Sequence, residues 1–223
     1  MSLATSTRCL LLAASVLLLA SCGSDPRRGQ DGGFAQLVTS RLSTGFASKD
    51  VAPVTLTRAQ LDTIITPVQL VKLDKLGVEG LIAQIGTNRG IKTWSSVDTK
   101  TLSFRDGVLI ATRGFSGDLM TAEAPSRAQL ADTSQDYLRH YIFLSGENQE
   151  LRRNFTCVVV DFGPETITIV ERAYQTTWLR ENCTGRTGSF DNDYWYDASG
   201  TLRQSRQWAG STLGHVMIQH LAK

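Results

Sequence analysis

The sequence predicts a mainly β fold: an antiparallel meander curled into a barrel or half-barrel, with one or two N-terminal helices. Three observations carry this. Beyond Pro67 apolar residues recur with a period of two, as at Ile167 and Ile169 between Thr166 and Thr168, and again at Val216 and Ile218. Turn signals follow one another roughly every 8–12 residues, from Gly77 and Asn88-Arg89-Gly90 through Gly163-Pro164 to Gly210. Only one face of each strand reads as apolar, so the sheet must curl over the helices or close on itself to bury it.

The elements follow in chain order. Phe34, Leu37, Val38 and Leu42 fall at helical spacing and predict an amphipathic helix from Phe34 to about Phe46. A second helix starts at Thr57-Arg58-Ala59-Gln60, a capping box with Leu56 and Leu61 in staple positions. It would turn Leu61, Ile64 and Ile65 inward and stop at Pro67. Strands come next, with Leu81, Ala83 and Ile85 alternating with Ile82 and Gln84. Asp106-Gly107, set between Leu102-Ser103-Phe104 and Val108-Leu109-Ile110, is the strongest hairpin signal. About ten or more strands joined by tight turns are expected. No repeat and no domain-splitting linker follows Phe34, so residues 34–223 read as one β-rich domain.

Composition narrows the function classes. The 223 residues are 41% hydrophobic and 20% charged, with a net charge of +2. Charges are scattered and the pI is 8.4, whereas a phosphate-tracking binder shows a basic stripe and a pI above about 9. Nucleic acid is thereby excluded as a partner. Val, Ile, Leu, Phe and Trp recur throughout, which excludes disorder, collagen and coiled coil.

The N-terminus gives an address. Residues 1–21 carry no acid and one base, Arg8, then an apolar run ending in Leu19-Ala20-Ser21-Cys22. A run of about 11 apolar residues suits a signal peptide and falls short of the roughly 20 needed to span a bilayer. Small residues before a cysteine mark a bacterial lipobox, so residues 1–21 are expected to be removed and Cys22 lipidated. Gly23 stands where an aspartate would retain the protein in the inner membrane, which favours the outer membrane, with the domain on its periplasmic face. Residues 22–33 are polar and glycine-rich and read as a flexible tether. Cys157 and Cys183 are then the remaining cysteines, and an oxidising periplasm favours a disulfide between them.

Chemistry is weaker. His140, His215 and His220 fit no metal or catalytic motif, and neither a metal nor a cofactor is expected. Asp191, Asp193 and Asp197 could supply a glycosidase's two carboxylates, or form the polar end of a hairpin turning at Ser199-Gly200. Tyr194, Trp195, Tyr196 and Trp208 lie on neighbouring strands with Arg203 and Arg206, a set that suits an acidic sugar or a protein partner. Aromatic cross-strand pairs also stabilise sheets by themselves.

The C-terminal third carries a resemblance. Phe190-Asp191-Asn192-Asp193-Tyr194-Trp195, then Gly200, then Ser205-Arg206-Gln207-Trp208-Ala209-Gly210, resembles the YjbF/GfcB family of bacterial outer-membrane lipoproteins. Thr101-Leu102, Arg105-Asp106-Gly107-Val108-Leu109, Thr112-Arg113-Gly114 and Asp118-Leu119 agree with it, as do the lipobox and the two cysteines. Asp193 and Ser211 depart from the family's usual residues. The resemblance implies an antiparallel β-meander with N-terminal helices. It implies an accessory role in exopolysaccharide or capsule production and export, beside envelope secretion proteins and with no catalytic residues to carry over. Two other readings remain at this stage: a lipid carrier holding acyl chains under a helical lid, and a polysaccharide-trimming glycosidase.

Overall fold

The computed structural model describes residues 46, 56–145, 147 and 149–221. The signal segment, Cys22, the tether and all of the first predicted helix except Phe46 lie outside them. Phe46 itself is buried against the main core.

The capping box at Thr57 forms as expected. The Thr57 hydroxyl accepts from the Gln60 N–H while Gln60 Oε1 accepts from the Thr57 N–H at 2.9 Å. The helix it starts, α1 (Arg58–Leu61), lasts one turn. Leu61 and Ile64 are buried, but Ile65 is 91% exposed. Its expected inward placement is therefore wrong: with the helix over after Leu61, the 3.6-residue phase no longer governs position 65.

Among the described residues, twelve strands form one antiparallel sheet. They are β1 (Val68–Leu73), β2 (Val78–Asn88), β3 (Ile91–Ser95), β4 (Thr101–Arg105), β5 (Val108–Arg113) and β6 (Leu119–Ala122), then β7 (Tyr137–Leu144), β8 (Glu150–Ile169), β9 (Arg172–Gly185), β10 (Gly188–Asp197), β11 (Leu202–Trp208) and β12 (His215–His220). Consecutive strands pair except β5 and β6, β1 pairs β12, and the order runs β5-β4-β3-β2-β1-β12-β11-β10-β9-β8-β7-β6. The sheet thus curls into a nearly closed barrel whose two edges, β5 and β6, are consecutive in the chain. Side chains bridge that seam. Leu119 N–H donates to Thr112 Oγ1 at 3.0 Å, and Arg113 donates to the carbonyls of Leu119 and Met120 at 3.0 and 3.1 Å. Asp106-Gly107 joins β4 to β5 with φ of 51° and 86°, the left-handed pair that a two-residue hairpin turn requires.

The barrel interior is filled by alternate residues. Val71 and Leu73 of β1, Val216 and Ile218 of β12, Phe155 and Cys157 of β8 and Cys183 of β9 share one cluster. A second interior cluster joins Val108, Val159, Leu179, Tyr194, Tyr196 and Leu202, closed by Leu130 of a short helix, α2 (Arg127–Ala131). Its capping box, Ser126-Arg127-Ala128-Gln129, repeats the chemistry of the first and was legible by the same rule.

The expectation of one apolar face per strand fails at β1 and β2. Residues 68–71 and 80–83 are buried in succession, so both faces are covered there. The cover is the far half of the β8–β9 hairpin, whose register shifts at Asp161–Gly163. Ile167, Ile169 and Trp195 pack with Val68, Leu70, Leu81, Leu61 and Ile64 into an outer core. Arg58 fastens the hairpin tip, donating to the carbonyls of Ile169 (2.7 Å), Val170 (2.9 Å) and Leu221 (3.2 Å). Ile85, by contrast, is 54% exposed beside a bulge in β2.

Candidate functional site

The six residues that the sequence singles out are not brought together. Tyr194 and Tyr196 point into the barrel interior, and Trp195 lies in the outer core with its Nε1 donating to Glu165 Oε2 at 2.7 Å. Alternation along β10 separates them, as it must. Arg203 is held by Asp197 at 2.6 Å, and Arg206 by Asp74 at 2.9 Å. Trp195 sits opposite Gln204 on β11, so Trp208 is four positions further along, at the other end of the hairpin. Trp208 alone keeps a half-buried ring at an opening of the barrel.

The acids near Trp195 are paired with bases. Asp193 accepts from Trp178 Nε1 at 2.8 Å and from Arg180 Nε at 2.7 Å, and Asp191 faces Arg206 at 3.6 Å. Burial raises the Asp197 carboxyl, but Ser199, Arg203 and the Thr201 N–H outweigh it and hold the group below its ordinary value. A glycosidase's general acid needs the opposite shift. Cys157, Cys183 and Glu181 bring ligand-type atoms within 4.8 Å of one another, but the two sulfurs are bonded to each other.

The histidines serve separate places. His215 and His220 take opposite faces of β12, His215 beside the Asp191 carbonyl at 2.8 Å and His220 beside Gln69. Burial first, then Lys92 and Arg203, pull the His220 imidazole down to about 4. Because the folded value lies below the unfolded one, the unfolded chain takes up the proton first. His220's contribution is complete above about pH 6.5 and is lost as the pH falls towards 4, some 3 kcal/mol in all. Urea unfolding at pH 7 and pH 4.5 should therefore show a smaller difference in a His220→Gln variant than in the parent chain. Equal differences would remove His220 from the pH response.

Sequence reading missed the polar centre of the barrel. Glu181 on β9 and Arg139 on β7 are fully buried and meet at 2.8 Å. Glu181 also accepts from Tyr137 at 2.9 Å, Asn192 at 2.6 Å and Tyr194 at 3.2 Å. Arg139 donates its Nε to the Glu123 carbonyl at 3.1 Å. Burial and the adjacent Glu181 charge hold the Tyr137 and Tyr194 hydroxyls protonated, well above the ordinary phenol value. A signal existed: Glu181 shares its strand phase with Leu179 and Cys183, and Arg139 shares its phase with Tyr137 and Tyr141.

Above this centre the barrel opens into a cleft of about 360 Å³. Its walls include Phe143, Phe155, Phe190 and Trp208, together with Leu151, Arg153, Ser189, Ser211 and Thr212. Trp208 stacks on Phe190 (centroids 4.3 Å apart, 12° between planes), and Phe143 meets Trp208 edge-on at 5.4 Å. Asn192 Oδ1 accepts from the Trp208 backbone N–H at 2.6 Å, tying this corner to the Glu181 network. Gly210 turns the chain at φ 112°, where a Cβ would come within 2.6 Å of the Phe143 ring. Any side chain there would push the ring out of the cleft wall.

The model of the family described as group 4 capsule polysaccharide lipoprotein GfcB, YjbF matches residues 40–221. The chain belongs to the YjbF family. A crystal structure of the hypothetical lipoprotein YmcC from Escherichia coli (K12) is similar, with a TM-score of 0.68 and 22% identity over 75% of this chain and 89% of that one. No curated protein sequence matches. This member of the YjbF family, a family of capsule-polysaccharide lipoproteins, folds as a nearly closed antiparallel barrel with the network at its centre and the aromatic cleft at one opening.

Proposed function

We propose that this protein is a non-enzymatic accessory lipoprotein that supports exopolysaccharide or capsule export from the periplasmic face of the outer membrane. In this reading Cys22 carries the lipid, residues 22–33 tether the domain, and the barrel opening holds polymer beside the envelope secretion proteins. The observation that carries the reading is the fixed aromatic corner of Phe143, Phe190 and Trp208, rimmed with hydroxyl groups. Aromatic faces beside hydroxyls and a few polar groups suit a sugar ring, which has both apolar and polar faces. Of the residues that the sequence offers for recognition, Trp208 takes this role; Tyr194, Trp195, Tyr196, Arg203 and Arg206 do not line the cleft.

Ser189 stands exposed on the rim, so Ser189→Trp plugs the cleft without touching the core. It should leave the melting temperature nearly unchanged and cut exported polysaccharide several-fold, with Cys22→Ala losing export through release from the outer-membrane fraction. Normal export from a folded Ser189→Trp protein would overturn the cleft's role. A Cys22→Ala protein still sedimenting with outer membrane would overturn the anchor.

A further inference from the structure

Resting on that reading, we infer that the cleft takes an anionic sugar residue, its carboxylate or phosphate oxygens on Arg153 and its ring on Trp208. Among the described residues, Arg153 is the one charged side chain in the cleft wall. Its phase on β8 is that of Phe155 and Cys157, both buried in the barrel, so its stem leans into the opening rather than away from it. Five other arginines of the domain are occupied: Arg58 on backbone carbonyls, Arg139 on Glu181, Arg180 on Asp193, Arg203 on Asp197 and Arg206 on Asp74. Arg153, among the described residues, makes one long bond, Nη1 to the Arg152 carbonyl at 3.4 Å. The rest of its guanidinium fork is left to face the cleft.

Trp208 supplies the second half. Phe190 stacks on the indole and Phe143, Tyr141 and Phe155 meet it at steep angles, so the ring is immobilised before any ligand arrives. The indole N–H of Trp178 is taken by Asp193 and that of Trp195 by Glu165, whereas that of Trp208 has no partner among the described residues. A pre-set stacking platform, a free N–H donor and an uncommitted guanidinium in one cleft match an anionic sugar. An acyl chain would use neither donor, and a neutral sugar would leave Arg153 unanswered. A planar guanidinium grips carboxylate or phosphate oxygens in pairs, which fixes orientation as well as affinity.

The test is calorimetric titration of the full chain in detergent micelles with three probes. These are tetragalacturonate, its methyl ester, and a phosphorylated oligomannoside. At least one of the two acids should bind about ten-fold more tightly than the ester, weaken with added salt, and lose about ten-fold in Arg153→Gln. Whichever acid binds names the anion. Arg153→Lys, which keeps the charge but not the fork, should recover only part. Equal binding of acid and ester, with Arg153→Gln unaffected, overturns the anionic assignment and leaves the saccharide reading of the cleft standing. Failure of all three probes overturns this inference, while export by Ser189→Trp decides the cleft's role separately.

Discussion

Replacing Glu181 with alanine should destabilise the domain more than any other single change considered for it. Its carboxylate accepts from four side chains at once, and its neighbour Arg139 is 1% exposed with nowhere to take its charge. Burial by itself would lower the Arg139 guanidinium, but Tyr141 and Glu181 outweigh that and keep it charged. Removing the carboxylate therefore leaves a charge in a low-dielectric interior beside stranded Tyr137, Tyr194 and Asn192 donors. The expected loss is about 3–5 kcal/mol, a large part of the ~5–15 kcal/mol that holds an ordinary domain together. Urea unfolding measures it. A double Arg139→Met, Glu181→Leu variant should lose less than Glu181→Ala, because no orphaned charge remains, though the stranded hydroxyls and amide keep it below the parent chain. A single-variant loss under about 1 kcal/mol would mean that the pair is hydrated in solution.

The same network reaches the cleft. Asn192 bridges Glu181 through its Nδ2 and the Trp208 backbone through its Oδ1. The interior charge pair and the aromatic corner are thereby parts of one hydrogen-bonded unit, so a buried polar core here has a positioning role for the opening as well as a structural one.

What could be read in the sequence was local. Two-residue alternation gave the strands, Asp106-Gly107 gave a hairpin, and Thr57 to Gln60 gave a helix start, because each rests on contacts between near neighbours. The limits were physical too. Ile65 was misplaced because helix phase was extended past a one-turn helix. The double burial of β1 depends on a hairpin about 100 residues away folding back over it, which no local pattern encodes. The cleft draws on five separate stretches, around Gly117, Phe143, Arg153, Ser189 and Trp208, that meet only once the strand order is known. Arg139 and Glu181 were hidden because inward polar phases look like noise in an alternating strand until a partner is found across β8.

Losing the disulfide should weaken the domain without changing its folded form. Cys157 and Cys183 stand directly opposite each other on β8 and β9, both sulfurs buried in the barrel interior. The ladder continues on either side, Phe155 opposite Gly185 and Val159 opposite Glu181, so backbone hydrogen bonds keep the two strands in register without the bond. Its effect falls mainly on the unfolded chain, where it closes a loop of 26 residues. Chain-entropy reasoning puts that at about 3.5 kcal/mol, within the usual span of about 2–5 kcal/mol for a native bridge. A Cys157→Ala, Cys183→Ala variant should therefore keep the near-ultraviolet circular dichroism of the parent chain and unfold at lower urea. Where the β8–β9 hairpin is already formed in the folding transition state, the loss appears as slower folding with little change in the unfolding rate. Mass spectrometry of the non-reduced chain should find the two cysteine peptides joined. Two freely alkylated thiols in periplasmic material, or a variant as stable as the parent, would show that the bond is not part of the working protein.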